Sequence, residues 1–312
     1  MKSFIKNKLN ILKTFLVGGV EKKQNETLIL LGGLHCSRVR ALQNIQSLNE
    51  AEFKVFSQWG EDGIIQYLIS NVEIDDNRTF VEFGVEDYNE ANTRFLLIND
   101  NWRGLIMDGS EENIRKVQHD PIYWRYHLTA VAKFITKDNI NGLIAEYIGA
   151  GDLGILSIDV DGNDYWIWKA IDCVFPRIVI CEYNSVFGAK HAVTVPYDEG
   201  FVRTDAHYSN LYWGASLAAF CHLAREKGYD FVGSNSTGCN AFFVRKDLST
   251  KLRKFTPEEG YVESKYRESR DKDYSMTFVA GKDRIKVIQD KLIFDVTTGK
   301  VLPIRELSLD KV

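Results

Sequence analysis

The sequence predicts an α/β fold, a Rossmann-like doubly wound sheet with helices on both faces, and three observations predict it. Strand-like and helix-like runs alternate from about residue 53. The first of the strand-like runs, RTFVEFG, reads as a buried strand, and the others follow at βα spacing. Acidic residues and glycines gather just after those runs, where a sheet of this kind binds its ligands. The chain is 312 residues long and 45% apolar, enough for a sizeable core in one large domain or two ordinary ones.

Residues 1–52 read as a helical extension. The opening MKSFIKNKLNILKTFLVGGVEKKQ sets Lys2, Lys6, Lys8 and Lys13 among Phe4, Ile5, Leu9, Leu12, Phe15 and Leu16 at helical spacing. Its apolar stretch is too short to span a bilayer. A helix packed on the body or in a dimer contact is the plain reading; contact with a membrane surface or a partner is the other. Residues 53–247 form the core domain. GEDGIIQYLISNV has helical periodicity, RTFVEFG is the first strand, EANTRFLLIND a helix and RGLIMD the second strand. SEENIRKVQ starts a helix at Ser110, an N-cap residue with acids in the first turn. YHLTAVA is strand three, KDNINGLIAEYIG a helix, LGILSIDV strand four, DYWIWKAID a helix and RIVICEYN strand five. A polar, aromatic-rich insertion follows near residues 185–210, then the helix GASLAAFCHLAREKGY and the strands DFVGSN and NAFFVR. Residues 248–312 are a C-terminal extension whose KLIFDVTTGKVLPI predicts a hairpin around Thr298 and Gly299.

Charge and cysteine usage exclude some classes. Lys and Arg total 39 against 43 Asp and Glu, a net charge of −4 that gives no general drive toward nucleic acid. The five cysteines, Cys36, Cys173, Cys181, Cys221 and Cys239, lack CxxC spacing and read as reduced residues of a cytoplasmic protein.

The strand ends carry the ligand argument. Strand one ends at Glu82 and Gly84, strand two at Asp108, where a carboxylate accepts ribose hydroxyls. A dinucleotide also needs a glycine-rich turn for its pyrophosphate, and GVEDYNEA offers Glu86, Asp87 and Glu90 instead. Those acids repel pyrophosphate and suit a ligand with ribose and positive charge but no phosphate; S-adenosylmethionine is the common one. A strand-end acid can also cap a neighbouring helix, which is the plainer role for Glu82. Gln58, Glu61 and Asp62 precede the first core helix and either close over the cofactor or cap that helix.

Six stretches, FSQWGEDGIIQYLI, FVEFGVEDYNEANTRFLL, WRGLIMDGS, ILSIDVDGNDYWIWKAI, VICEYNSVFG and YWGASLAAFCHLAREKGY, cover about residues 55–247. Through them the chain resembles class I S-adenosylmethionine-dependent methyltransferases, more narrowly the FkbM-like and metal-dependent sugar O-methyltransferases of bacterial glycan clusters. The resemblance implies a seven-stranded sheet with its last strand antiparallel, cofactor over strands one and two, and acceptor over strands four and five. It implies Glu82 and Gly84 toward the methionine part and Asp108 toward the ribose; Gln58, Gly109 and Asp159 are further candidate cofactor contacts. One departure is that Tyr88 and Asn89 stand where the family keeps a glycine. The acceptor it implies is a sugar or nucleotide-sugar; the protein itself reads as cytoplasmic, with contact at the inner membrane left open for its N-terminal helix.

Strands four and five carry the chemistry. SIDVDGND holds Asp159, Asp161 and Asp164, and CEYN holds Glu182 and Asn184. A sulfonium methyl is already electrophilic, so the enzyme aligns an acceptor oxygen and helps it lose its proton. Asp159, Glu182 and Asn184 resemble the acid, acid, amide set that holds Mg²⁺ in metal-dependent relatives, although Tyr183 separates the last two. In a metal-free version Asp159 bonds the cofactor amine, Asp161 or Asp164 is the general base, and Asn184 orients the acceptor. In the plainest version Gly162 and Asn163 make a turn whose flanking acids cap the next helix. His191 and His207 in the insertion are further candidate bases. Tyr197, Tyr208, Tyr212 and Trp213 suit stacking on a sugar or packing of the long loop. The other readings are a nicotinamide-dependent sugar oxidoreductase, for which no GxGxxG follows strand one, and a non-catalytic scaffold in a glycan-assembly complex. A homo-oligomer is compatible with all three.

Overall fold

Apolar runs with acids at their ends pair into a parallel sheet because each strand is covered on both faces. The computed structural model describes residue 20 and residues 23–74 and 77–307, and most of the basic stretch read at the N-terminus lies outside the described residues. In chain order the elements are α1 (23–40), α2 (Glu61–Asn71), β1 (Thr79–Phe83), α3 (Arg94–Asp100), β2 (Arg103–Asp108), α4 (Glu111–His119) and α5 (Pro121–Arg125). Then come β3 (Leu128–Ala132), α6 (Ile140–Ile148), β4 (Gly151–Ile158), α7 (Asp164–Ala170), β5 (Val174–Glu182), β6 (Val193–Thr194), α8 (Arg203–Ala206) and α9 (Leu217–Lys227). The last are β7 (Tyr229–Ser234), β8 (Asn240–Arg245), α10 (Pro257–Gly260), α11 (Asp283–Val287), β9 (Leu292–Asp295) and β10 (Lys300–Pro303).

The main sheet has seven strands in the order β3-β2-β1-β4-β5-β8-β7. β1, β2, β3, β4 and β5 pair in parallel, and β8 runs antiparallel between β5 and β7. This is the doubly wound sheet the sequence predicts, and its order reverses between β1 and β4. A crevice opens at that reversal because the connections from the two strands leave toward opposite faces. Along β1, Phe80 joins the apolar cluster on one face while Val81 and Phe83 join the other, and Ile106 splits from Leu105 and Met107 in the same way on β2. Ser110 caps α4 by accepting from the Asn113 amide, and Ser216 caps α9 through the Ala219 amide.

The hairpin around Thr298 and Gly299 forms as β9 and β10. Beyond the sequence reading, β9 also pairs with β6 from the insertion, making a second sheet β10-β9-β6. The C-terminal extension thus packs on the insertion after β5, with Ile288, Ile293 and Ile304 buried against Val193, Val195 and Tyr212. The insertion covers the β4 and β5 side of the crevice with Phe201 and Arg203, and the extension packs behind it. At the other end of the chain, α1 lays Cys36 against Val55, Phe56 and Phe95.

Candidate functional site

The cleft at the carboxyl ends of the strands encloses about 430 Å³. Gln58, Glu82, Gly84, Asp108, Gly109, Asp159, Asp161 and Glu182 all line it. Asp164, Asn184, His191 and His207 do not.

The loop after β1 is built around Gly84. Its φ is +69°, its amide donates to the Met107 carbonyl at 3.0 Å, and a Cβ there would lie 1.5 Å from the Asp159 carbonyl oxygen. Only glycine lets the β1 and β4 ends approach so closely. Farther along, Tyr88 does the work expected of the missing glycine: it takes a φ of 61° and buries its ring completely. A bulky residue in the left-handed region is strained. The Tyr88 hydroxyl pairs with Thr93 Oγ1 at 2.9 Å and its carbonyl accepts from Arg94 Nη1 at 2.7 Å, contacts that hold it there.

Glu82 is engaged with the protein itself. Oε1 accepts from the Asn92 amide at 2.9 Å and from Ser157 Oγ at 3.3 Å, and Oε2 accepts from the Thr93 amide at 3.1 Å and from Thr93 Oγ1. Its carboxyl thus ties the start of α3 to β1 and β4, the capping role rather than a free reach toward ligand. Burial pushes its pKa up, and these donors pull against that shift. Asp108 accepts from the Glu86 amide at 2.9 Å and from the Ser110 amide at 2.8 Å while still facing the cleft. Asp62 accepts from the Val55, Phe56 and Ser57 amides through Oδ2 at 2.7–2.9 Å, and Glu61 accepts from the Trp59 and Gly60 amides and from Asn235 and Asn240. Both brace the segment that carries Gln58.

The acids after β4 separate by role. Asp164 is fully buried and accepts from the Val160 amide at 2.8 Å and the Gly162 amide at 2.9 Å, so it pins the turn and is sequestered from an acceptor. That corrects its reading as a general base. Asn184 is corrected likewise: Nδ2 donates to the Leu211 and Trp213 carbonyls at 3.0 Å, and Oδ1 accepts from the Val186 amide. With its amide spent on the insertion it offers no metal ligand. His191 sits off the cleft, its carbonyl accepting from Ser216 Oγ, so it is misplaced for a base. His207 faces Ser209 and its pKa is lowered by burial and by Lys291. Tyr212 and Trp213 are buried packing residues of the loop, and Tyr197 and Tyr208 also lie off the cleft wall.

Asp161 takes the place that Asn184 was expected to fill. It adopts a φ of 55°, and one carboxylate oxygen each from Asp159, Asp161 and Glu182 lies within 4.8 Å of the others. Glu182 Oε2 is buried without a hydrogen-bond partner among the described residues. Burial, then the neighbouring acids, holds the carboxyls of Asp159 and Glu182 well above the usual range.

Arg203, which the sequence reading missed, faces these acids from α8. Nη1 meets Asp161 at 2.9 Å, Nη2 meets Glu268 at 3.6 Å, Nε donates to the Asn210 carbonyl, and the guanidinium lies 4.6 Å from the Trp213 ring centre. A basic residue beside an aromatic-rich segment was the one signal available. Lys133 and Phe134 after β3, and Phe201 against Gly162, complete the wall and were also missed. Among the described residues, seven acidic side chains line the cleft against two basic ones, Lys133 and Arg203.

No protein-family model matches the chain, and no curated protein matches it. Solved structures that it resembles include the N-terminal domain of EvdMO1 in the presence of SAH and D-fucose, at 12% identity and a TM-score of 0.35, over 56% of this chain and 76% of that one. An O-methyltransferase from Bacillus cereus in complex with SAH aligns at 14% identity and a TM-score of 0.35, over 53% and 72%. A putative O-methyltransferase from Klebsiella pneumoniae aligns at 11% identity and a TM-score of 0.35, over 70% and 90%.

Proposed function

We propose that the protein is an S-adenosylmethionine-dependent O-methyltransferase acting on a sugar hydroxyl, with a divalent cation assisting. The observation that carries the reading is the charge of the cleft: seven acids against two bases surround a switch-point crevice whose second strand ends in Asp108. A sulfonium and an ammonium would be attracted there, and Asp108 would accept from a ribose diol. A pyrophosphate would be repelled by Glu86 and Glu90, which argues against the nicotinamide-dependent alternative.

On the acceptor side, Asp159, Asp161 and Glu182 form a hard-oxygen set that fits Mg²⁺, and the unpartnered Glu182 Oε2 is a ligand atom in waiting. Those three residues would hold the ion, which when bound lowers the pKa of an alcohol. The protein's own groups do the rest. Phe201, packed over Gly162, gives a sugar ring an apolar face to rest on, and Arg203, braced by Trp213 and Glu268, holds Asp161 in position. Without the ion, one carboxyl of the Asp159 and Glu182 pair would receive the hydroxyl proton, since burial and the neighbouring acids hold both above the usual carboxylate range. A metal-free version has one observation in its favour, since Arg203 already neutralises Asp161.

Calorimetric titration tests the reading. S-adenosylhomocysteine should bind the wild type and NAD should not, and Asp108→Ala should weaken S-adenosylhomocysteine by about tenfold to a hundredfold, the worth of charge-assisted hydrogen bonds at ~1.5–3 kcal/mol. Equal affinities for wild type and variant refute the ribose assignment. Methyl transfer that survives exhaustive chelation leaves the metal-free version standing.

A further inference from the structure

We propose that Asn163 is a specificity-determining residue whose side-chain carbonyl reads a second hydroxyl of the acceptor, beside the hydroxyl that is methylated. The turn between β4 and α7 that carries it is held from the insertion. Asp161, Gly162 and Asn163 each meet one insertion residue: Arg203 pairs with Asp161, a Cβ on Gly162 would come within 2.2 Å of the Phe201 ring, and the Asp198 carbonyl accepts from Asn163 Nδ2 at 2.7 Å. The Asp198 carbonyl also accepts from the Phe201 amide at 3.1 Å, so Asn163 and Phe201 are fixed relative to each other. A carbonyl only accepts, so the NH₂ group must face Asp198 and Oδ1 is turned away from it. That oxygen is buried without a hydrogen-bond partner among the described residues, in a side chain that is 5% exposed and lines the cleft. Asn163 stands directly before α7, where an asparagine ordinarily accepts from a first-turn amide, yet it makes no such bond. A buried acceptor left unmatched is costly, and one on a cleft wall is matched when ligand arrives.

The surroundings decide which donor it takes. Asp159, Asp161 and Glu182 line the same cleft and would engage a cationic donor first, because a carboxylate is a stronger acceptor than a neutral amide. The oxygen of Asn163 therefore suits a neutral donor. An amide oxygen does not take up a proton near neutral pH, so its partner is a hydroxyl that keeps its proton, while the reacting hydroxyl goes to the acids. Asn163 and Asp161 belong to one turn, which sets the two hydroxyls close together on the acceptor. With Phe201 offering an apolar surface beside both, the substrate class is a ring with two neighbouring free hydroxyls, such as a pyranoside that is not deoxygenated at the second position. An acceptor with a single hydroxyl leaves Oδ1 unmatched, so the same residue selects against it. This role rests on the function proposed above.

The experiment is an NMR titration of the full chain saturated with S-adenosylhomocysteine, with the methyl glycosides of glucose, galactose and mannose and their monodeoxy analogues as probes. Wild type should bind at least one parent glycoside and reject one of its monodeoxy analogues by about tenfold or more, the consequence of leaving a site acceptor unpaired. Asn163→Ala should bind that parent and that analogue alike. Asn163→Asp keeps an acceptor oxygen and loses the donor to Asp198, so it should retain the preference. Loss of the preference in both variants would mean that Asn163 only clamps the insertion, and would overturn the proposal. A preference that survives in Asn163→Ala, equal wild-type affinity for parents and analogues, or no binding of any parent by cofactor-loaded protein would overturn it too, with the methyltransferase reading left standing. Failure of S-adenosylhomocysteine to bind would instead remove that reading, and this role with it.

Discussion

Replacing Glu82 by glutamine separates two roles that a strand-end acid can have. Four hydrogen bonds converge on its two oxygens, from two backbone amides and two hydroxyls. Glutamine keeps one acceptor oxygen and turns the other position into a donor. If the oxygen stays with Thr93, the Asn92 amide faces an NH₂ group, and Ser157 Oγ, which already accepts from Asn92 Nδ2, can adjust only by rotating its proton. An orphaned buried donor costs about 1–3 kcal/mol, and loss of charge assistance in the remaining bonds adds about 1 kcal/mol. Against this, the neutral amide avoids the burial penalty that raises the Glu82 pKa. The net is about 2 kcal/mol of lost stability, about 4 °C in melting temperature for a chain of this size. Scanning calorimetry measures it, and titration with S-adenosylhomocysteine reports the secondary loss of affinity as the loop loosens. Glu82→Gln combined with Thr93→Val should be less damaging than the sum, because both changes remove the same contact. An unchanged melting temperature with a large loss of affinity would refute the argument, since it would mean that Glu82 serves the ligand directly.

Burial raises the Asp62 carboxyl to about 6, so this group's contribution to stability is full below the unfolded value near 3.8 and is lost as pH rises through about 6. Asp62→Asn keeps an acceptor for the four donors on Oδ2 and puts its NH₂ at the partnerless Oδ1 position, so relative to the variant the wild type should lose about 2 kcal/mol between pH 4 and pH 7 in denaturant titrations. A wild-type and variant difference that stays flat with pH contradicts that assignment. Arg203→Gln should tighten Mg²⁺ binding several-fold by calorimetry, because it removes the cation that neutralises Asp161, whereas weaker Mg²⁺ binding would mean that Arg203 chiefly orients the acids. Glu182→Gln should lower Mg²⁺ affinity by about tenfold or more while leaving S-adenosylhomocysteine affinity within about twofold, and a matching loss of both would place Glu182 in the cofactor site instead.

Strands were legible because they are short apolar runs bounded by polar turns, and RGLIMD and NAFFVR match β2 and β8 residue for residue. Asp108 and Gly84 were legible because strand-end position in a doubly wound sheet already implies the cleft. The acids after β4 were not separable from one another. Asp159, Asp161 and Asp164 share six residues of sequence, yet a turn with Asp161 at positive φ sends Asp161 to the cleft and Asp164 into the backbone of that turn. Asn184 looked free to bind a metal because the carbonyls that consume its amide come from Leu211 and Trp213. Arg203 was invisible as a partner of Asp161, being 42 residues away along the chain.

The sequence by itself determined the succession of strands and helices, a ligand cleft at the carboxyl ends of the strands, and the acidic character of what lines it. Hydrophobic periodicity and strand-end position are local properties, and local patterns carry them. Tertiary structure alone decided which acids remain available to a ligand: Glu82 and Asp164 bind backbone, Asp159 and Glu182 face each other, and Arg203 arrives from the insertion. A carboxylate offers the same oxygens to a buried amide, a cation or a hydroxyl, so its role follows from whichever donor the fold brings within reach.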